Sequence, residues 1–362
     1  MEEKDFSHKL SILRGILSDK GADALFISNQ NHFSWLTGGR GFIGIASVGA
    51  CAGLIITQDN VYLIAENIEA KRLWNEQLGK NPQIKVLEYP WHCPNERQKR
   101  LDKLLKGKKV LTETDIADEL FNARTVLTQS DIARYRDICK TTALELEATC
   151  RTLKAVMTEY EVAGELSRRL WSNNLEPITL LIGFDERAIR NRHPVPVGAA
   201  LKNYALIAVC ARRNGLIASA TRLVSLTRDP EMMERQKVAG YVDAVLCANT
   251  VVGADTADVF QKGVSAYAEK GFEGEWKFHH QGGLTGFVPR ELKAMSTVHH
   301  TVRAGEAYGW NPSVQGAKSE NTILVTENGY ENLTHTGDYP YLQYEVNGQK
   351  VVTEDILILD EE

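Results

Sequence analysis

The sequence predicts a two-domain α/β (α+β) protein, with a smaller α/β domain over residues 1–125 and a larger α+β domain over residues 126–362. Two observations support this division. A chain of 362 residues is longer than one compact core usually accommodates. A polar stretch at residues 122–130 separates a first region of short apolar runs from a second region in which long helical patterns precede alternating strands.

The first region combines an amphipathic helix with buried strands. Apolar residues from Phe6 to Leu17 recur at helical spacing, and Gly21 follows as a stop signal. Short apolar runs at residues 24–28 and within 52–65 are bounded by Asn, Gly and Asp, which is typical of strands in a buried sheet. This region is therefore predicted to be a small α/β domain.

The second region begins with helices and ends with strands. Ser130 and Asp131 favour the start of a long helix, because their side chains accept the free N–H groups of a first turn. Further helices are predicted near residues 229–248 and 256–270. From residue 308 onwards, short apolar segments alternate with turns, as they do in an antiparallel sheet.

Composition excludes several classes of function. The net charge of -5 and the isoelectric point near 6.0 argue against nucleic-acid binding, which needs a basic surface. No apolar run approaches the roughly 20 residues that span a bilayer, so no membrane partner is expected. The acidic, polar start argues against a secretory signal, and the six cysteines form no CxxC pair. These features predict a cytoplasmic protein with reduced thiols.

Several strings of residues, each weak alone, occur together in one order. They are ADAL, FSWLTGG, NRHP, NGLIASATR, NP and ENTILVTENG, which begin at residues 22, 33, 191, 214, 311 and 320. In this order they resemble the motifs of the creatinase, prolidase and aminopeptidase P family. The resemblance implies a creatinase-type N-terminal domain, a pita-bread catalytic domain and a homodimer.

The positions at which that family has its metal ligands are altered in this chain. The resemblance places the two bridging aspartates at Ala208 and Ser219, the metal histidine at Gly283 and the first metal glutamate at Asn311. Glu320 alone remains of the family's ligands. One carboxylate cannot hold two divalent ions, which need several anionic or imidazole ligands. The sequence therefore predicts no metal and no other cofactor.

Two histidines leave an alternative open. His279 and His280 either rebuild a single-ion site with Glu320 or end a strand with one side chain buried and the other exposed. Without metal, Glu320 needs a cationic or N–H partner from the substrate or from the protein. Arg222 is one candidate for a purely structural partner.

The catalytic residues are predicted from the resemblance. His193 matches a substrate-side histidine of the family, and a histidine with a pKa near neutrality can take a proton from water and return it to a leaving nitrogen. Glu320 and Glu291 are predicted to orient water or to bind a cationic group of the substrate.

A second set of side chains is predicted to bind substrate. Arg290 stands where the family has a second histidine, and this suggests a substrate anion, because guanidinium groups bind carboxylates bidentately. Trp35 either reaches the site of a partner subunit, as the resemblance implies, or is a core aromatic residue. The predicted set is Arg290, Arg222, Arg192, His279, His280, Asn311 and Trp35.

Three functions follow from this sequence. The leading hypothesis is a metal-independent, creatinase-like hydrolase that cleaves a C–N bond in a small nitrogenous metabolite bearing a carboxylate. The first alternative is an Xaa-Pro dipeptidase or aminopeptidase with a remodelled metal site. The second alternative is a non-catalytic pita-bread module that binds a peptide or protein.

Overall fold

The computed structural model describes residues 3–359. The chain divides into two compact units, Met1–Ser130 and Asp131–Glu362. Both units mix helices with sheets, so the predicted fold class is confirmed.

The first unit is built on a five-stranded mixed sheet in the order β4-β3-β2-β1-β5. Its strands are β1 (Ala24–Asn29), β2 (Gly49–Thr57), β3 (Val61–Glu66), β4 (Ile84–Tyr89) and β5 (Val110–Thr112). Strands β1, β2 and β3 are antiparallel neighbours, whereas β4 and β5 join the two edges in parallel.

The helices of this unit cover the sheet with their apolar faces. They are α1 (Glu3–Asp19), α2 (Gln30–Thr37), α3 (Ala70–Arg72), α4 (Pro94–Leu105) and α5 (Ala117–Thr125), with a π-helical turn at Leu73–Gln77. In α1, the predicted residues Phe6, Leu10, Leu13 and Leu17 are buried. The left-handed backbone at Gly38 (φ 69°) ends α2, a conformation that glycine adopts without steric cost.

The second unit contains long and short helices, which lie before, between and after strands of its first sheet. They are α6 (Gln129–Cys150), α7 (Glu159–Ser172), α8 (Glu186–Arg190), α9 (Pro230–Asn249) and α10 (Thr256–Glu269), with a 3-10 turn at Glu275–Phe278. The capping side chains explain several boundaries. Thr158 and Glu161 form a capping box at α7, and Asp229 and Asp255 accept N–H groups at the starts of α9 and α10.

Two sheets of the second unit meet at the candidate site. The first, in the order β18-β8-β7-β6, contains β6 (Glu176–Phe184), β7 (Tyr204–Arg213) and β8 (Leu216–Ser225). The second, in the order β10-β9-β11-β14-β15, contains β9 (Gly282–Thr285), β10 (Leu292–Lys293), β11 (Ala307–Trp310), β14 (Asn321–Thr326) and β15 (Gly329–Asn332). An isolated bridge between Thr221 and Glu320 joins the two sheets.

Two hairpins and an edge strand complete this unit. The hairpins are β12 (Ser313–Val314) with β13 (Ala317–Lys318), and β16 (Tyr341–Val346) with β17 (Gln349–Glu354). The prediction of a wholly antiparallel tail is wrong at β18 (Ile356–Ile358), which pairs in parallel with β8. Within residues 3–359, no helix combines the length and the apolarity needed to cross a bilayer.

Candidate functional site

A small cavity lies where the two sheets of the second unit meet. Its volume is about 110 Å³, less than the roughly 300–1,000 Å³ of pockets that hold drug-sized ligands. Strands β6 and β7 form one wall. The polar residues of its lining are Thr179, His193, Cys210, His280, Arg290, Asn311, Lys318 and Glu320.

Glu320 is the centre of charge in this cavity. Its Oε2 accepts hydrogen bonds from Lys318 Nζ at 2.7 Å and from Thr221 Oγ1 at 2.7 Å, and its Oε1 accepts from Arg290 Nη2 at 3.1 Å. The residue is only 4% exposed. Burial alone would raise the pKa of Glu320, but the charges of Lys318 and Arg290 outweigh burial and hold the pKa at about 2. Glu320 is therefore an ionised partner of two cations and is poorly suited to act as a base.

The structure brings Lys318 into the site, and the sequence analysis missed this residue. The tight turn between β12 and β13 places Lys318 opposite Ser313. Gly316, in this turn, has φ 89°, and a Cβ atom there would lie 2.9 Å from Met232 Sδ. Lys318 is 4% exposed, and its ammonium group faces Glu320.

Arg290 is fixed against the backbone of β11. A Cβ atom added at Gly309 would lie 3.0 Å from Arg290 Nη1, so the absence of a side chain there leaves room for the guanidinium. Arg290 Nη1 also donates to the carbonyl of Pro289 at 2.6 Å. This position agrees with the prediction that Arg290 lies in the site. Its guanidinium already forms an ion pair with Glu320.

The positions of the family's bridging aspartates lie on β7 and β8. Ala208 lines the cavity and offers no ligand atom, whereas Ser219 is fully buried beside Cys210, with Oγ and Sγ 3.3 Å apart. Burial, reinforced by the charge of Glu320, raises the pKa of Cys210. The thiol is therefore protonated near neutral pH and is a weak nucleophile.

Gly283 has a backbone conformation and close neighbours that leave no room for a side chain. Its φ is 144°, and a Cβ atom would lie 2.1 Å from the carbonyl oxygen of Leu292 and 2.9 Å from the amide nitrogen of Ala294. No histidine fits here unless β9 and β10 separate. The residues of this cavity therefore do not fit the two-metal cluster of the family, and no catalytic step is derived through it.

Three histidines converge beside the cavity. His279 Nε2 and His193 Nε2 are 3.0 Å apart, and the rings of His279 and His280 stack at 4.5 Å between centroids. Burial and the charge of Lys318 lower the pKa of His193 and bring that of His279 to about 2. Burial and Arg290 lower the pKa of His280 to about 4. All three imidazoles are therefore neutral near pH 7.

Asn311 adds an unpaired acceptor to the lining of the cavity. Its backbone N–H donates to the carbonyl of Gln281 at 3.0 Å, and the residue is 2% exposed. Among residues 3–359, no group hydrogen-bonds to its buried Oδ1. Because buried acceptors are normally satisfied, this atom is available to an N–H group of a ligand or to a water molecule.

Two of the predicted arginines serve the scaffold instead of the cavity. Arg222 is fully buried and binds Glu147, Glu354 and the carbonyl of Thr334. It does not contact Glu320 within the described residues, so its assignment to substrate binding, and its suggested pairing with Glu320, are wrong. Its buried guanidinium donates hydrogen bonds to Glu147, the carbonyls of Thr221 and Thr334, and Asn321 Oδ1, all of which belong to the scaffold.

Arg192 forms an ion pair with Glu275 and donates to Ser313 Oγ at 3.0 Å. It does not line the cavity that contains Glu320. The assignment of Arg192 to substrate binding is therefore wrong. Its guanidinium instead connects the segment that contains His193 to Glu275 and Ser313.

The remaining two assignments also change. Glu291 is half-buried next to β10, and its side chain is absent from the described lining of the cavity. Trp35 is 1% exposed in the core of the first unit, with Lys9 Nζ 5.8 Å from its ring. A ring enclosed in this way cannot contact a substrate, so the core alternative for Trp35 is confirmed.

Comparisons with known proteins support the resemblance in fold. Residues 9–156 match the family model of the Creatinase/Prolidase N-terminal domain. No curated protein is significantly similar to the chain in sequence.

Solved structures extend the likeness over both units. The prolidase from Pyrococcus horikoshii OT3 has a TM-score of 0.74 and 16% identity, and the match covers 91% of this chain and 98% of that chain. The Xaa-Pro dipeptidase from Bacillus anthracis has a TM-score of 0.71 and 15% identity, with 91% and 98% covered. The N-terminal domain of the FACT complex subunit SPT16 from Cicer arietinum has a TM-score of 0.67 and 11% identity, with 93% and 97% covered.

The class that these findings define is the two-domain pita-bread fold of the prolidases. The N-terminal match and the whole-chain structural matches together show that this chain resembles the creatinase, prolidase and aminopeptidase P family in fold. At these identities, the structural likeness shows the fold and leaves the reaction to the chemistry of the site.

Proposed function

We propose that this protein hydrolyses a C–N bond in a small carboxylate-bearing compound, without the two-metal cluster of its family. The observation behind the proposal is the pairing of Glu320 with Lys318 and Arg290. Glu320 is the one remaining carboxylate at the family's ligand positions. The positive charges of Lys318 and Arg290 offset its charge, as divalent cations would otherwise do.

The charges of the cavity favour an anionic ligand. Lys318 and Arg290 contribute two positive charges, Glu320 contributes one negative charge, and the neighbouring imidazoles are neutral near pH 7. The balance is one net positive charge in a partly buried space, where electrostatic attraction is stronger than in water. A substrate carboxylate would bind at this end of the cavity, and Asn311 Oδ1 would accept a substrate N–H.

The proposed reaction needs one mobile proton. The oxygen of a water molecule attacks the carbon of the scissile C–N bond, while an imidazole nitrogen of His193 takes the proton that this water loses. As the C–N bond breaks, the same imidazole returns the proton to the leaving nitrogen. The hydrogen bond between the Nε2 atoms of His193 and His279 holds the ring in place, and Lys318 and Arg290 stabilise negative charge that develops on oxygen.

Replacement of His193 by alanine tests this mechanism. We expect turnover to fall by about 100-fold or more, the usual contribution of a general acid–base group. Stability should change little, because the His193 side chain is largely exposed. The assay would use chelator-treated protein and a panel of amides, ureas and guanidino compounds that bear a carboxylate, with Xaa-Pro dipeptides included.

The matched control is His299→Ala, which removes an exposed histidine bound to Asp255 in the same unit. That variant should keep wild-type turnover. Equal activity of His193→Ala and the wild type would remove His193 from the mechanism. Activity that appears only after Mn²⁺ or Co²⁺ is added would overturn the metal-independent part of the proposal.

The likeness to solved prolidases favours a second candidate, an Xaa-Pro dipeptidase. A dipeptide also presents a carboxylate and a C–N bond, so it suits the same cavity charge. A peptidase of this kind would need a metal site outside the family positions, since Gly283 and Ala208 supply no ligands. Cleavage of Xaa-Pro dipeptides in the same panel would select this candidate.

A binding module is the third candidate, and the described cavity argues against it. His193, Arg290 and Glu320 converge on one partly buried cavity of about 110 Å³, which is not filled by other side chains. The likeness to a FACT complex subunit concerns the fold alone at 11% identity. Enzymatic activity therefore remains the better-supported function.

A further inference from the structure

The three histidines beside the cavity differ from the other histidines of their unit. His299, His300 and His335 each contact a carboxylate, at 2.8 to 3.0 Å. Within residues 131–359, His193, His279 and His280 have no such acidic partner among the described contacts, and they pack on one another instead. Buried polar atoms are normally hydrogen-bonded, so the buried Nδ1 atoms of His279 and His280, which have no partner among the described residues, need another explanation.

The spacing of their nitrogen atoms suits a metal ion. One ligand atom from each ring lies within 4.8 Å of the others, and the Nε2 atoms of His193 and His279 are 3.0 Å apart. Imidazole nitrogens bind Zn²⁺ at about 2.0–2.1 Å in tetrahedral geometry, which separates two ligand atoms by roughly 3.3 Å. The observed pair is therefore near the separation that a shared ion requires.

Contacts with neighbouring side chains position the segments that contain the three histidines. Arg192 and Glu275 connect the segment of His193 to the turn that precedes His279. The carbonyl of His279 accepts from Gln281 Nε2 at 2.5 Å. His279 is 7% exposed, and within the described part of the chain no hydrogen bond satisfies its buried Nδ1 or that of His280. A neutral donor set of this kind suits Zn²⁺, Cu²⁺ or Ni²⁺ better than Mg²⁺ or Ca²⁺, which prefer oxygen ligands.

We propose that His193, His279 and His280 bind a single divalent transition-metal ion, at a place distinct from the two-metal positions of the family. Three imidazoles leave one position of a tetrahedral ion open to water or to a ligand in the cavity. Glu320 offsets one of the two neighbouring cations and so limits their repulsion of the ion. The bound ion occupies His193 and is expected to inhibit the proposed hydrolysis, which needs that imidazole free.

Calorimetric titration of the full chain with Zn²⁺ tests this proposal directly. The chain would first be freed of metal by a chelator and then dialysed. We expect one equivalent of Zn²⁺ per chain, and binding about 10-fold or more weaker in His279→Ala and in His280→Ala. Bound Co²⁺ should give the visible absorption of a four-coordinate site in the wild type and lose it in both variants.

His299→Ala is the matched control and should bind Zn²⁺ as the wild type does. In the wild type, the His299 ring is hydrogen-bonded to Asp255 and is not one of the three proposed ligands. If His279→Ala does not fold, His280→Ala and the increase of Tm with added Zn²⁺ still decide the question. No saturable Zn²⁺ binding, or binding that both variants retain, would overturn the proposal. Turnover by chelated wild-type protein tests the proposed hydrolysis separately, so the two can fail independently.

Discussion

Glu320→Gln is expected to destabilise the second unit by about 3–5 kcal/mol, the usual cost of removing one partner from a buried ion pair. The substitution keeps the shape of the side chain and removes its charge. Lys318 and Arg290 would then face each other as buried cations without a counter-ion. Urea or thermal unfolding followed by circular dichroism would measure the loss.

Two further variants make this result specific. Glu331→Gln removes a carboxylate that binds Arg136 on the surface, where an exposed pair contributes at most about 1 kcal/mol. In the Glu320→Gln chain, Lys318→Met removes one of the uncompensated cations and should restore part of the lost stability. A Glu320→Gln variant as stable as the wild type would show that the carboxylate does not compensate these cations.

The ion pairs of Glu320 also predict how the stability of the folded protein changes at low pH. The pKa of Glu320 in the folded protein is about 2, below its value in the unfolded chain. Its stabilising contribution is therefore present above the unfolded pKa and is lost as the pH falls towards 2. The Glu320→Gln variant should lack this part of the acid sensitivity.

Gly283→His is expected to prevent folding, or to cost more than about 4 kcal/mol, instead of restoring a metal ligand. The new Cβ would lie 2.1 Å from the carbonyl oxygen of Leu292, and the backbone φ of 144° disfavours any side chain. Thermal unfolding and metal analysis of the purified variant would measure both effects.

Gly329→Ala is a suitable control for Gly283→His. Its φ of 133° is similar, but a Cβ atom there has nothing within 4 Å. That variant should lose only about 1–3 kcal/mol from backbone strain. A stable Gly283→His protein that binds two divalent ions would contradict our interpretation of β9.

Much of the fold was predictable because it depends on local patterns. The helical spacing from Phe6 to Leu17 and the capping residue Asp229 act within a few residues of their own elements. The parallel pairing of β18 with β8 was missed, since the partners are more than a hundred residues apart. The sequence of a short strand does not indicate whether it pairs in parallel or antiparallel.

The loss of metal ligands from the candidate site was predictable from the sequence. The side chains that take their place in the cavity were less predictable. Ala208 and Gly283 could be recognised because the surrounding motifs are intact. Lys318 was missed, since a lysine in a two-residue strand has no periodicity that indicates burial. The motif position of Arg222 gave no sign that Glu147, on α6, already satisfies it. The burial of Trp35 likewise depends on packing that its motif does not specify.

Metal analysis of the purified chain, compared with His279→Ala, tests most directly whether Lys318 and Arg290 replace the family's divalent ions at Glu320. The wild type should contain at most one equivalent of metal, and His279→Ala should contain none. A structure determined from crystals soaked in Mn²⁺ or Co²⁺ should show Glu320 bound to Lys318 and Arg290. Two equivalents of metal that persist in His279→Ala, with an ion on Glu320, would contradict the account.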